Sequence, residues 1–119
     1  MGGGLLGEAE LARRIVDLLA EKQAEDILLL DISKVTTFTD YFVIASAVNV
    51  RQVQALLDVL DEALTRDGHG PVRSEGDIDS GWVLLDLGDV IVHLLSPEQR
   101  AYYDIERLWS KATPVVHIQ

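Results

Sequence analysis

The chain has 119 residues, 48% hydrophobic and 25% charged, a balance that suits one globular domain with a single core and excludes a disordered chain. It contains no cysteine, which excludes disulfides and thiolate metal sites, and no apolar run approaches the roughly 20 residues that span a bilayer. Twenty acidic residues against ten basic ones give a net charge of −10, so direct binding to nucleic acid is not expected and a basic protein surface is the better-matched partner.

The start, Met1-Gly2-Gly3-Gly4-Leu5-Leu6-Gly7, lacks the basic and long apolar regions of a signal peptide and reads as a flexible leader, with the cytoplasm as the expected compartment. From Glu8 to about Gln23, Leu11, Ile15, Leu18 and Leu19 recur at helical spacing and predict a first amphipathic helix. The run Asp26-Ile27-Leu28-Leu29-Leu30-Asp31-Ile32 predicts a buried strand, and Tyr41-Phe42-Val43-Ile44-Ala45-Ser46 predicts a second one. Asn49 with Gln52 forms a capping box ahead of Val53, Leu56, Leu57, Leu60 and Leu64, and Asp67-Gly68 closes this second helix. The polar segment His69 to Gly81 reads mostly as loop, with room for a short edge strand around Val72-Arg73.

Trp82 to Leu87 and Val90 to Leu95 flank Gly88-Asp89, a strong hairpin signal in which glycine comes first, as a type II′ turn requires. Ser96 with Pro97 and Gln99 starts a third helix expected to run to about Trp109, with Ala101, Tyr102, Ile105, Leu108 and Trp109 facing inward. Thr113-Pro114 is expected to end the ordered part, so residues 8–113 form one domain and 114–119 a tail. This order implies an α/β fold, a mixed sheet with packed helices, in which strand, helix and strand from Tyr41 to Leu87 make one right-handed crossover.

Period-two alternation gives the hairpin one aliphatic face and another that mixes Trp82 with Asp86 and His93. Such a mixture suits a protein-docking surface, although a helix of the same domain could equally cover the tryptophan. The enzymatic alternative is a metal-dependent nucleotidyltransferase or phosphohydrolase built on Asp77, Asp79, Asp86 or Asp89. Asp77 and Asp79, however, lie in a Gly/Ser-rich segment where turn chemistry explains them. Ser46 lacks the glycines of a nucleophile elbow, and no phosphate-cradling glycine loop can be written. His69, His93 and His117 are not spaced to share a metal, so no catalytic residue, metal or cofactor is expected.

The stretches Leu30 to Ile44, with Thr39-Asp40-Tyr41 at their centre, and Gly81-Trp82-Val83-Leu84-Leu85-Asp86-Leu87-Gly88-Asp89-Val90-Ile91-Val92-His93 resemble the ribosomal silencing factor family, also called RsfS or Iojap. Arg100-Ala101-Tyr102-Tyr103-Asp104-Ile105-Glu106-Arg107-Leu108-Trp109 is similar to that family's C-terminal helix, and the resemblance covers nearly all of residues 8–113. It implies a nucleotidyltransferase-like topology lacking the catalytic residues. It also implies a translation repressor that binds the large ribosomal subunit through its fourteenth protein, a basic one, and sterically blocks subunit joining. A homodimer is implied as well. On this resemblance the partner-binding residues are Trp82, Asp86, Leu87, His93, Thr39, Asp40 and Tyr41, with Trp82 as apolar anchor and Asp40 and Asp86 facing partner Lys or Arg.

Overall fold

The computed structural model describes residues 7–69, 72–104, 107 and 110–118. Helix α1 (Glu8–Glu21) leads into β1 (Glu25–Asp31) and β2 (Tyr41–Ser46), followed by α2 (Val50–Arg66), β3 (Arg73–Asp77), a 3-10 turn (Ile78–Ser80), β4 (Trp82–Asp86), β5 (Val90–Leu95), α3 (Pro97–Tyr103) and β6 (Thr113–Ile118). The strands form one mixed sheet in the order β3-β4-β5-β2-β1-β6, in which only β2 and β5 run parallel. The expected α/β class and mixed sheet are therefore observed.

Local chemistry accounts for most of these elements. Asn49 Oδ1 accepts from the Gln52 backbone N–H at 2.8 Å, while Gln52 Oε1 reaches back to the Val48 N–H at 2.7 Å, one residue earlier than a standard capping box. Replacing Asn49 with alanine is expected to destabilise the domain by about 1 kcal/mol in a urea titration, the usual cost of losing an N-cap. Gly88 has φ +86° at the first central position of the hairpin, where a left-handed residue is needed, and Leu87 donates to the Val90 carbonyl at 3.0 Å. Gly81 also sits at φ +86°, and a Cβ there would meet Ser96 Oγ at 2.9 Å, so the entry to β4 demands glycine.

The sheet has two buried faces. Leu11, Ile15 and Leu19 of α1, with Val53, Leu56, Leu60 and Leu64 of α2, pack on Val43, Ala45, Val83, Leu85, Val90, Val92 and Leu94. This is the aliphatic face expected from alternation. The opposite face is a second, smaller cluster of Leu28, Leu30, Ile32, Phe42, Ile44, Ile91, Leu95 and Ala112, with Trp82 and Leu84 half-buried at its margin. Helix α3 packs on this side, where its Tyr103 meets Trp82.

Four expectations need correction. The parallel neighbour of β2 is β5 rather than β4, because β4 joins β5 as an antiparallel hairpin and the crossover spans both helix and edge strand. The segment expected mostly as loop carries the full edge strand β3, held by its ladder to β4 from Arg73↔Asp86 to Asp77↔Trp82. The chain does not end its ordered part at Pro114: β6 pairs antiparallel with β1, and its register slips between Leu29 and Leu30 where Pro114 sits, the edge-strand irregularity that proline tolerates. Finally, α3 closes at Tyr103 with Asp104 at φ 50°, and Ala101 and Tyr102 face outward. Ile105, Leu108 and Trp109 lie outside the described residues.

Candidate protein-docking site

The seven residues expected to meet a partner do not form one group: Trp82 and Asp86 mark opposite ends of β4, and His93 lies midway between them on β5. Trp82 starts β4 opposite Leu95, whereas Asp86 ends it opposite Ile91, four residues or about 13 Å farther along the strand. Thr39, Asp40 and Tyr41 gather at the Asp86 end, because the backbone N–H groups of Asp40 and Tyr41 both donate to the Asp89 carbonyl at 3.0 Å. Asp86 and Asp40 are half-buried, and Asp86 Oδ1 is already engaged by the Gly88 N–H at 2.8 Å. Tyr41 and Leu87 pack against the helix-covered core on the other face from Trp82, and Thr39 is buried. Asp31 borders this end, and hydrogen bonds from the Ser33 hydroxyl and backbone N–H hold its carboxyl below the usual carboxylate range.

Trp82 and His93 do meet. The indole Nε1–H donates to His93 Nδ1 at 3.2 Å, and the two ring centroids lie 6.0 Å apart. His93 is only 6% exposed, on the middle of β5, with Phe42 edge-to-face at 4.6 Å. Burial pushes its pKa down to about 4, so the imidazole is neutral at physiological pH. His93 therefore lies beneath the surface, behind the Trp82 ring, rather than on it.

The surface in front of it contains two residues that sequence reasoning missed. Tyr103 lies 4.9 Å from Trp82, and Tyr102 lies 4.9 Å from Tyr103 at an interplanar angle of 88°. Tyr103 is 45% exposed and Tyr102 79%. With Leu84 and Trp82, which line a shallow apolar depression beside Glu75 and Gly76, they form an aromatic strip running from β4 onto α3. The helical pattern of the 97–109 segment assigned Tyr102 inward because it assumed one continuous helix. The left-handed residue at Asp104 breaks that phase. So Trp82 is partly covered by its own domain's Tyr103 and partly open.

Arg100 also escaped notice, since arginine is ordinarily a surface residue. Here it is buried, and its guanidinium donates to the Asp26 carbonyl at 2.6 Å and to Ser46 Oγ at 3.0 Å, tying α3 to the end of β1 and β2. Ser46 is thus a buried structural acceptor. The four aspartates of the hydrolytic alternative do not converge: Asp77 and Asp79 share one exposed turn, with Asp77 Oδ1 accepting from the Asp79 N–H at 2.9 Å, while Asp86 and Asp89 lie at the far end of the hairpin. Among the described residues these four aspartates form no carboxylate pair across the hairpin. The arrangement presents an aromatic strip on an acidic domain.

Known proteins resemble this chain over most of its length. Residues 7–119 match the family model described as ribosomal silencing factor during starvation. A ribosomal silencing factor from Halalkalibacterium halodurans is 34% identical over 114 residues, covering 96% of this chain and 97% of the relative. The mouse protein named for mitochondrial assembly of the ribosomal large subunit is 32% identical over 81% of this chain and 43% of its own length. A crystal structure of a protein from Chromobacterium violaceum superposes with a TM-score of 0.82 at 37% identity, covering 88% of each chain.

Proposed function

This chain belongs to the ribosomal silencing factor family, and we propose that it binds the large ribosomal subunit through that subunit's fourteenth protein and blocks joining of the small subunit. The observation that carries the reading is the open aromatic strip of Trp82, Tyr103 and Tyr102 on a chain of net charge −10. Aromatic anchors supply most of the energy at protein interfaces, and an acidic surround favours a basic polypeptide over RNA. A standard interface takes about 800 Å² from each partner. That is a small share of this domain's 6851 Å². The action is steric: an occluding module needs affinity and bulk, and no turnover. The reading places the protein in the cytoplasm as a homodimer. The outer edge of β6, unpaired among the described residues and with Val115 and Ile118 exposed, offers one surface to a second copy.

Assembly of the large subunit is a second reading, favoured by the name of the mouse relative. It differs from silencing in when binding occurs rather than in what is bound.

Co-sedimentation with purified large subunits tests the proposal. The protein is expected to pellet with them at about 0.1 M salt, to be displaced progressively toward about 0.5 M, and to reduce formation of full ribosomes when small subunits are added. If the protein stays in the supernatant at low salt, the ribosomal reading fails.

A further inference from the structure

Five rings form a continuous series from core to surface: Phe42 to His93 at 4.6 Å, His93 to Trp82 at 6.0 Å, Trp82 to Tyr103 and Tyr103 to Tyr102 each at 4.9 Å. Only one link in it is a directional hydrogen bond, from the Trp82 indole to His93 Nδ1. An indole nitrogen can only donate, so the nitrogen opposite must carry a free lone pair. The neutral imidazole therefore keeps its proton on Nε2, and that buried nitrogen finds no hydrogen-bond partner among the described residues. An orphaned buried N–H is costly. Phenylalanine or leucine would pack in the same apolar setting without that cost, yet neither could accept from the indole.

We infer that His93 is the positioning residue of the docking surface: as the Nε2-protonated tautomer it holds Trp82 by its indole nitrogen, fixing the ring against Tyr103 with its remaining face open to the partner. The inference rests on the docking reading above. Without the bond, the half-buried indole can rotate about its side-chain torsions and lose its alignment with Tyr103 and Leu84. A partner would then have to order it on binding. Burial keeps the imidazole neutral, so the lone pair is available throughout the physiological pH range.

The test uses the full chain and two variants. His93→Asn keeps an acceptor on the short side chain near the place of Nδ1, while His93→Leu removes it. Nitrogen chemical shifts at neutral pH are expected to report Nε2-protonated His93, and the Trp82 indole N–H is expected to be protected from solvent exchange. In His93→Leu that protection should fall, and affinity for large subunits should drop about tenfold, the scale of one buried hydrogen bond. His93→Asn should stay within about threefold of wild type in pelleting. An Nδ1-protonated ring, or an unprotected indole N–H, would overturn the inference whatever the ribosome assay shows, and this measurement needs no variant to fold. Wild-type affinity in a folded His93→Leu, or equal losses in both folded variants, would overturn it too. Failure of wild type to pellet would overturn the docking reading and with it the positioning role, with the tautomer still read separately.

Discussion

Trp82→Ala is expected to bind large subunits roughly 30- to 150-fold more weakly than wild type while keeping the fold, a loss of about 2 to 3 kcal/mol typical of a central aromatic anchor. The substitution removes the ring that joins β4 to α3 across the aromatic strip, since Trp82 stands between Tyr103 and His93. It also deprives His93 Nδ1 of its donor. Some stability must go as well. The indole is only half-buried, so the cost should be about 2 kcal/mol, below the range for a fully enclosed aromatic residue. Pelleting and thermal unfolding measured on the same preparation separate the two effects. A folded Trp82→Ala protein that pellets like wild type would remove Trp82 from the interface. Tyr102→Ala is the useful companion, because Tyr102 is exposed and makes its only described ring contact with Tyr103, so its loss should weaken binding with little change in unfolding.

The second large effect is a pH dependence of stability. His93 titrates near 6.5 when unfolded and at about 4 in the folded domain, because burial opposes the charged form. Between those values the unfolded chain binds a proton that the folded one refuses, so acidification favours unfolding. Stability from this residue is complete above about pH 6.5, falls by roughly 3 kcal/mol as the pH drops to about 4, and is level below that. Urea titrations of wild type and His93→Asn across this window should differ in slope against pH, the variant lacking the component from residue 93. Identical slopes would show that residue 93 does not refuse a proton in the fold. Asp31, whose carboxyl is held low by Ser33, loses its contribution only as the pH falls below the ordinary carboxylate range, outside this window.

The sequence by itself determined every element whose signal is local. Strand β2 and strand β5 run where their β-branched and aromatic residues predict, Gly88 turns the hairpin, Asn49 caps α2 and Ser96 caps α3 with its hydroxyl accepting from the Gln99 N–H at 3.2 Å. Family membership was equally legible, since it rests on stretches of residues in order rather than on their positions in space. The two faces of the hairpin followed from alternation alone.

Only the tertiary structure decided what depends on neighbours distant in sequence. Strand β3, Arg73-Ser74-Glu75-Gly76-Asp77, is exposed throughout and has no apolar pattern to read; it exists because its backbone ladders onto β4. Strand β6 survives a proline because β1 is waiting beside it. His93 and Asp86 alternate onto the same face, yet one lies in the middle of the sheet against Phe42 and Trp82 and the other at its margin beside a turn, so one became a buried acceptor and the other a half-exposed carboxylate. Tyr102 and Tyr103 joined the candidate surface because α3, a short helix of seven residues capped by the left-handed Asp104, turns both of them outward. Alternation specifies which side of a sheet a residue takes, but what covers that side is set by elements folded back from far along the chain.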